Sequence, residues 1–180
     1  MQKMTFYETE LNGVFLIEPT RFEDERGFLA PSFSLREFED LGLNGCFVAS
    51  NISYNHIRGT LRGLHYQAAP YGQAKLVRCT RGSIFDVAVD LRPNSPTFRK
   101  WVGNTLSADN LLMMYLPADV AHGFQTLENN TEVFYQVSEF YRLEASRGLR
   151  WNDPAFGIEW PLPDKPIILA RDSSYPDFQT

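Results

Sequence analysis

IFDVAVDL, residues 84–91, decides the fold class. Phe85, Val87, Val89 and Leu91 fall on one face of this stretch, and Ile84, Asp86, Ala88 and Asp90 fall on the other. A period of two belongs to a pleated strand, whose side chains alternate across it, and not to a helix. Residues 131–138 repeat the pattern, with Val133, Tyr135 and Val137 on one side. Further strands are predicted over residues 14–17, 47–53, 61–66, 74–79, 100–106, 111–116 and 122–127. Arg81-Gly82 separates two strands closely enough for a hairpin, and Pro93-Asn94-Ser95-Pro96 breaks the chain firmly. One short helix is predicted, with Ser34 and Glu37 in a capping-box pattern and Gly42 placed to end it. Many strands with few helices give an all-β chain, a sandwich or a barrel. The Pro-rich stretch after Trp151 is predicted to pack against it as irregular chain.

With 180 residues, 43% of them hydrophobic, the sequence supports a buried core and reads as one domain over residues 1–180. No apolar run is long enough to span a bilayer, and the first residues lack the apolar region of a secretory signal. A cytoplasmic protein without a membrane partner is expected. The net charge of −5 argues against nucleic acid as a partner. A small anionic ligand, by contrast, needs only a few local cations. Cys46 and Cys79 are too few for a disulfide framework and read as buried thiols in a reducing compartment.

Groups able to do chemistry concentrate in a few places. The three histidines, His56, His65 and His122, lack the His-x-His pair, nearby acid and later histidine of a metal-binding cupin barrel, so no metal site is expected. In LRGLHYQ (61–67), alternation puts Leu61, Gly63 and His65 on one face and Arg62, Leu64 and Tyr66 on the other. Gly63 would leave room for a ligand beside His65. Lys75 shares a face with Gln73, Val77 and Cys79, an odd place for a solvated lysine. Each group also has a plainer reading. His65 fits a hydrogen-bonded core histidine, Lys75 a lysine with its stem laid along apolar surface, and Tyr135 a packing residue with a satisfied hydroxyl. Asp172 fits a solvated acid, and Arg26 an ordinary turn arginine.

These residues sit within a longer pattern. DERGF (24–28), LRGLHYQ (61–67), QAKLVRC (73–79), FDVAVDLR (85–92), SPTF (95–98), AHGF (121–124), WND (151–153) and GIEWP (157–161) follow one another at consistent spacing. In them the chain resembles the dTDP-4-dehydrorhamnose 3,5-epimerase family along nearly its whole length. The resemblance implies a cupin-like jelly-roll β-barrel with a few short helices, working as a homodimer without metal or cofactor on a nucleotide-diphosphate sugar. It implies that His65 is the catalytic base, Asp172 its paired carboxylate, Tyr135 the general acid, and Lys75 the cation beside the substrate's keto oxygen. Arg62 and Arg26 match diphosphate and substrate contacts, Arg26 by reaching the neighbouring subunit's site. Asn51 and His122 match further substrate contacts, Tyr141 the ring that stacks on the base, and Arg171 replaces a family lysine while keeping its charge.

The implied reaction inverts C3, C5 or both of a 4-keto-6-deoxy hexose. Three polar family positions differ: Pro31, Ala49 and Ser146 stand where Glu, Gln and Glu are usual, which bears on the base recognised. Two other readings stay open at this point. A non-catalytic sugar-nucleotide-binding module would bind without exchanging protons, and a metal-dependent cupin enzyme would purify with stoichiometric metal.

Overall fold

The computed structural model describes residues 3–164 and 166–179. Its strands are β1 (Met4–Glu8), β2 (Phe15–Pro19), β3 (Phe22–Asp24), β4 (Gly27–Leu29), β5 (Ala49–Asn55), β6 (Thr60–Gln67), β7 (Lys75–Arg81), β8 (Ser83–Asp90), β9 (Trp101–Ser107), β10 (Met113–Leu116), β11 (Val120–Thr126), β12 (Thr131–Val137), β13 (Ser146–Gly148) and β14 (Ile167–Ile168). Two short helices, α1 (Leu35–Asp40) and α2 (Ala170–Ser173), complete it with a 3₁₀ turn at Leu143–Ala145. Each strand predicted from alternation is present, with ends shifted by a residue or two. The run predicted from residue 111 starts later, because Leu111 takes a left-handed φ of 57°.

One sheet runs β1-β2-β10-β7-β12-β5 and the other β13-β6-β11-β8-β9, with β14 parallel to the start of β6. Val77, Cys79, Met114 and Val133 from the first sheet meet Ile84, Ala88, Leu106 and Phe124 from the second in one buried cluster. Two facing antiparallel sheets with a shared interior make a cupin-like jelly roll, the all-β class read from the sequence. The hairpin expected at Arg81-Gly82 is absent. β7 pairs with β10 and β12, whereas β8 pairs with β11 and β9, so the chain crosses there from one sheet to the other.

The second sheet is covered on both faces. Ile84 and Ala88 point into the barrel, while Val87 and Val89 face outward and pack with Leu149, Phe156 and Trp160 of the irregular tail. The face of β8 that looks inward therefore carries Asp86 and Asp90, both 0% exposed. Asp90 accepts hydrogen bonds from Arg92, Ser95 and Thr97, which close the SPTF turn around it. Burial works against its ionisation, but those donors hold its carboxyl far below the usual range.

Helix α1 departs from the expected cap. Ser34 is the N-cap residue but makes no side-chain capping bond, and Glu37 instead accepts from the backbone N–H of Met4 at 3.0 Å. Gly42 ends the turn as predicted, at φ 68°. Phe38 anchors α1 against Phe6, Phe33, Phe47 and Tyr115. Cys79 is buried, but Cys46 is exposed, contrary to the reading of both as buried thiols; both are free. No helix among the described residues is long and apolar enough to cross a membrane.

Candidate active site

A cavity of about 810 Å³ opens between the two sheets. That is ample for a ligand of small-molecule size. His65 stands on its β6 wall and Tyr135 on the β12 wall, one from each sheet. Lys75, from β7, lines the cavity as well.

The β6 wall is not a regular strand. His65 pairs with His122 on β11, but Arg62 pairs with Phe124, so Gly63 and Leu64 together oppose Gly123. This bulge resets the alternation. Arg62 and His65 both line the cavity, while Leu64 turns outward into the tail-covered cluster. The expectation that Arg62 and His65 occupy opposite faces is thereby corrected. The role given to Gly63 changes too. Its φ is 117°, and a Cβ there would lie 2.6 Å from Gly123 Cα and 2.8 Å from the His122 carbonyl oxygen. The glycine makes room for the neighbouring backbone rather than for a ligand.

His65 Nε2 lies 2.9 Å from Asp172 Oδ1. Asp172 is buried on α2, accepts a second bond from Arg171 Nε at 3.1 Å, and receives the Gly63 N–H at 3.4 Å. Burial opposes its ionisation, but the bonds from His65 and Arg171 prevail and its pKa is lowered. An ionised carboxylate only accepts, so Nε2 carries the ring proton and Nδ1 keeps its lone pair. Nδ1 has no hydrogen-bond partner among the described residues. Burial pushes the His65 pKa down; Asp172 pulls it up, and the charges of Lys75 and Arg171 add to the lowering. At neutral pH His65 is a neutral imidazole with a free lone pair, the form a general base requires.

Lys75 is 7% exposed, and its Nζ donates to the His65 carbonyl at 3.1 Å. Burial pushes its pKa down to about 8, with Asp86 pulling the other way. Tyr135 is half-buried; burial raises its pKa, against a smaller pull from Arg62. It therefore holds its proton at neutral pH.

The remaining candidates divide by position. Arg62 lines the cavity, its Nε donating to Asn55 Oδ1 at 2.7 Å. His122 lines it beside His65, its Nε2 2.8 Å from Asp86 Oδ1. Arg171 and Tyr141 stand at the rim, Tyr141 with 62% exposure. Asn51 pairs with Tyr135 across β5 and β12 but is exposed and outside the cavity lining. Arg26 is not brought to the cavity of its own chain: it sits on the β3–β4 hairpin, 84% exposed, paired with Asp24. Of the departures from the family pattern, Ser146 lines the cavity; Pro31 and Ala49 do not.

Sequence reasoning missed three supporting residues. Asn55 is 2% exposed and spends its amide on the Ser53 and Thr131 carbonyls while holding Arg62. Gln67, at 3%, donates to the Phe140 carbonyl and accepts from the Arg142 N–H, fixing the loop that presents Tyr141. Asp86 backs His122. The available signal was a carboxylate in the middle of an apolar strand, which is seldom idle. His65 and His122 do adjoin, but each Nε2 is engaged by its own carboxylate. Among the described residues no three His, Cys, Asp or Glu are grouped closely enough to hold a metal ion.

Known proteins share this architecture. The sequence model of the dTDP-4-dehydrorhamnose 3,5-epimerase family matches residues 8–180. The dTDP-4-dehydrorhamnose 3,5-epimerase of Shigella flexneri is 45% identical over 170 residues, covering 94% of this chain and 93% of the relative. The enzyme of that name from Bacillus anthracis str. Ames, solved with TDP and PPi bound, superposes with a TM-score of 0.94 at 42% identity, covering 98% of this chain and 100% of the other. The dTDP-6-deoxy-D-glucose-3,5-epimerase of Legionella pneumophila Philadelphia 1, in complex with dTDP-4-keto-L-rhamnose, does so with a TM-score of 0.89 at 35% identity, covering 99% and 100%.

Proposed function

This chain belongs to the dTDP-4-dehydrorhamnose 3,5-epimerase family, and from that premise we propose that it inverts C3, C5 or both of a nucleotide-linked 4-keto-6-deoxy hexose. The observation that carries the reading is a neutral imidazole backed by a buried carboxylate, facing a protonated phenol across one cavity.

The chemistry follows from the ketone. A 4-keto group acidifies the C–H bonds at C3 and C5. His65 Nδ1 removes one of these protons; the C–H electron pair moves into the ring and the ketone becomes an enolate. Asp172 stabilises the imidazolium, as a buried acid does for the histidine of a hydrolase triad. The Lys75 ammonium meets the negative charge where it develops on oxygen. Tyr135 then protonates the carbon from the opposite side, inverting it; the phenolate regains a proton from solvent and the imidazolium returns one to it, restoring both groups. Since no electrons leave the sugar, no redox partner enters the balance. Arg62 suits the diphosphate, with His122 and Arg171 as further substrate contacts and Tyr141 at the rim stacking on the base; Asn51, outside the cavity lining, could meet only a part of the substrate that extends beyond it. Complexes of relatives with TDP and with dTDP-4-keto-L-rhamnose support thymidine as that base.

The test is solvent exchange. In D₂O, incubation with dTDP-4-keto-6-deoxyglucose should place deuterium at C3, C5 or both, read by NMR or mass spectrometry. Tight binding of the sugar nucleotide with no deuterium uptake would leave a binding module instead.

The pH profile gives a second check. His65 must be neutral, and burial lowers its pKa, so the rate should fall on the acid side only at a pH below that of an ordinary imidazole. Lys75 must be charged, so the rate should fall as pH rises through about 8. Lys75→Arg, if it retains activity, should lose this alkaline limb, because guanidinium stays charged. An alkaline limb unchanged in that variant would count against Lys75.

The protein acts in the cytoplasm as a homodimer in this reading. Arg26, exposed and remote from the cavity of its own chain, then serves the neighbouring subunit's site. Sedimentation velocity should give twice the 20.6 kDa chain mass; a monomer retaining full activity would remove that role.

A further inference from the structure

Asp86 is a carboxylate in an unusual position. It is 0% exposed on the inward face of β8, just behind the cavity lining. One oxygen takes the His122 Nε2–H at 2.8 Å, while the other is buried and has no hydrogen-bond partner among the described residues. Leaving half of a buried carboxylate unbonded costs free energy that a nearby positive charge offsets.

The cavity holds one buried ammonium to supply that charge. Lys75 is withdrawn from water, and its hydrogen bond is to a neutral carbonyl. That carbonyl belongs to His65, whose strand partner is His122, the residue Asp86 holds, so ammonium and carboxylate lie one strand pair apart. The cavity and its backing carry these charged and titratable groups among the described residues. β6 presents Arg62 and His65, α2 and its flank Arg171 and Asp172, β11 His122, β12 Tyr135, the rim Tyr66 and Tyr141, and β8 Asp86. The cations and histidines in that set cannot stabilise an ammonium. Of the two carboxylates, Asp172 is committed to His65, Arg171 and the Gly63 N–H. Asp86 alone has an oxygen to spare. Burial lowers the proton affinity of Lys75 and the Asp86 charge opposes that effect, which agrees with the geometry.

We propose that Asp86 is a positioning residue whose buried carboxylate is the counter-charge that keeps Lys75 protonated, while also fixing His122 at the cavity wall. It touches no substrate; it acts through Lys75. The kinetic consequence rests on Lys75 being the cation beside the ketone oxygen, whereas the charge coupling stands without that reading.

The experiment therefore has two arms. Lys75 is observed directly by NMR titration of protein labelled at lysine Cε, its signal assigned by its loss in Lys75→Arg. In Asp86→Asn the Lys75 titration point should fall by about one pH unit, the scale of shift that loss of a neighbouring opposite charge produces. The alkaline limb of deuterium exchange should fall with it, and the acid limb should stay in place. An unmoved Lys75 titration in Asp86→Asn overturns the proposal. Should that variant fail to fold, His122→Leu serves: it removes the imidazole donor from Asp86 and puts no other in its place, so the Lys75 titration point should rise, and a fall or no change overturns the proposal. Coupling seen by NMR without any exchange would sink the epimerase reading alone; exchange without coupling would sink the role of Asp86 alone.

Discussion

His65→Asn is expected to slow deuterium incorporation by about 10³-fold, within the range that a positioned general base supplies. The substitution removes the lone pair that takes the proton but keeps a side chain able to donate toward Asp172, so the buried carboxylate is not left without a partner. The groups assigned to binding, Arg62 above all, are held by a separate contact with Asn55. KM should therefore change little while kcat collapses, because the lost interaction is made only in the transition state. Circular dichroism and the thermal midpoint should stay close to those of the parent, since His65 is a third exposed and carries no core packing. Asp172→Asn should cost less in rate and move the acid limb, as the tautomer and the stability of the imidazolium are both affected. Near-normal exchange in His65→Asn would require another base.

Gly63→Ala should be the most damaging single methyl group in the chain. Two costs add. A non-glycine residue at φ 117° is strained by about 1–3 kcal/mol. The new Cβ also falls 2.6 Å from Gly123 Cα and 2.8 Å from the His122 carbonyl oxygen, and backbone atoms cannot swing aside as a side-chain tip can. Overpacking of this kind costs about another 1–3 kcal/mol. A loss of about 4 kcal/mol in a chain of this size lowers the melting midpoint by roughly 8–16 °C, readable by calorimetry. Activity should fall further than stability, because relief of the clash straightens the bulge and turns Arg62 or His65 away from the cavity. A midpoint within a degree or two of the parent would mean that β6 and β11 are not pressed together there.

That bulge also marks where the sequence stopped being legible. Alternation in residues 84–91 and 131–138 was enough to place strands, because each side chain there obeys the two-residue period through the whole element. The same rule applied to LRGLHYQ put Arg62 and His65 on opposite faces, and a single inserted residue opposite Gly123 reversed that. Gly63 carried the signal, but a glycine in a strand announces irregularity without saying which neighbour it accommodates. Spacing did not pair β7 with β8 wrongly by accident: a short turn fits a hairpin and a crossing between sheets equally well, and only the partners β10 and β11 decide it. Asp172 lies 107 positions from His65. No local pattern joins residues so far apart, and the family resemblance alone proposed that pair. Asp86, by contrast, was visible in the opening stretch as an acid among valines, and its face was read correctly while its burial was not.

The residue that orients His65 is carried on a helix of only four residues. Helix α2 spans Ala170–Ser173, has no side-chain cap, and buries only Asp172. Upstream it is moored by the two-residue pairing of β14, and downstream by the Phe178 N–H on Asp153. Segments with so little packed surface open locally long before a sheet core does. Warming or mild denaturant should accordingly switch the protein off while far-UV circular dichroism still reports intact sheets, so shelf life and heat tolerance would be governed by fraying of one four-residue turn rather than by collapse of the barrel.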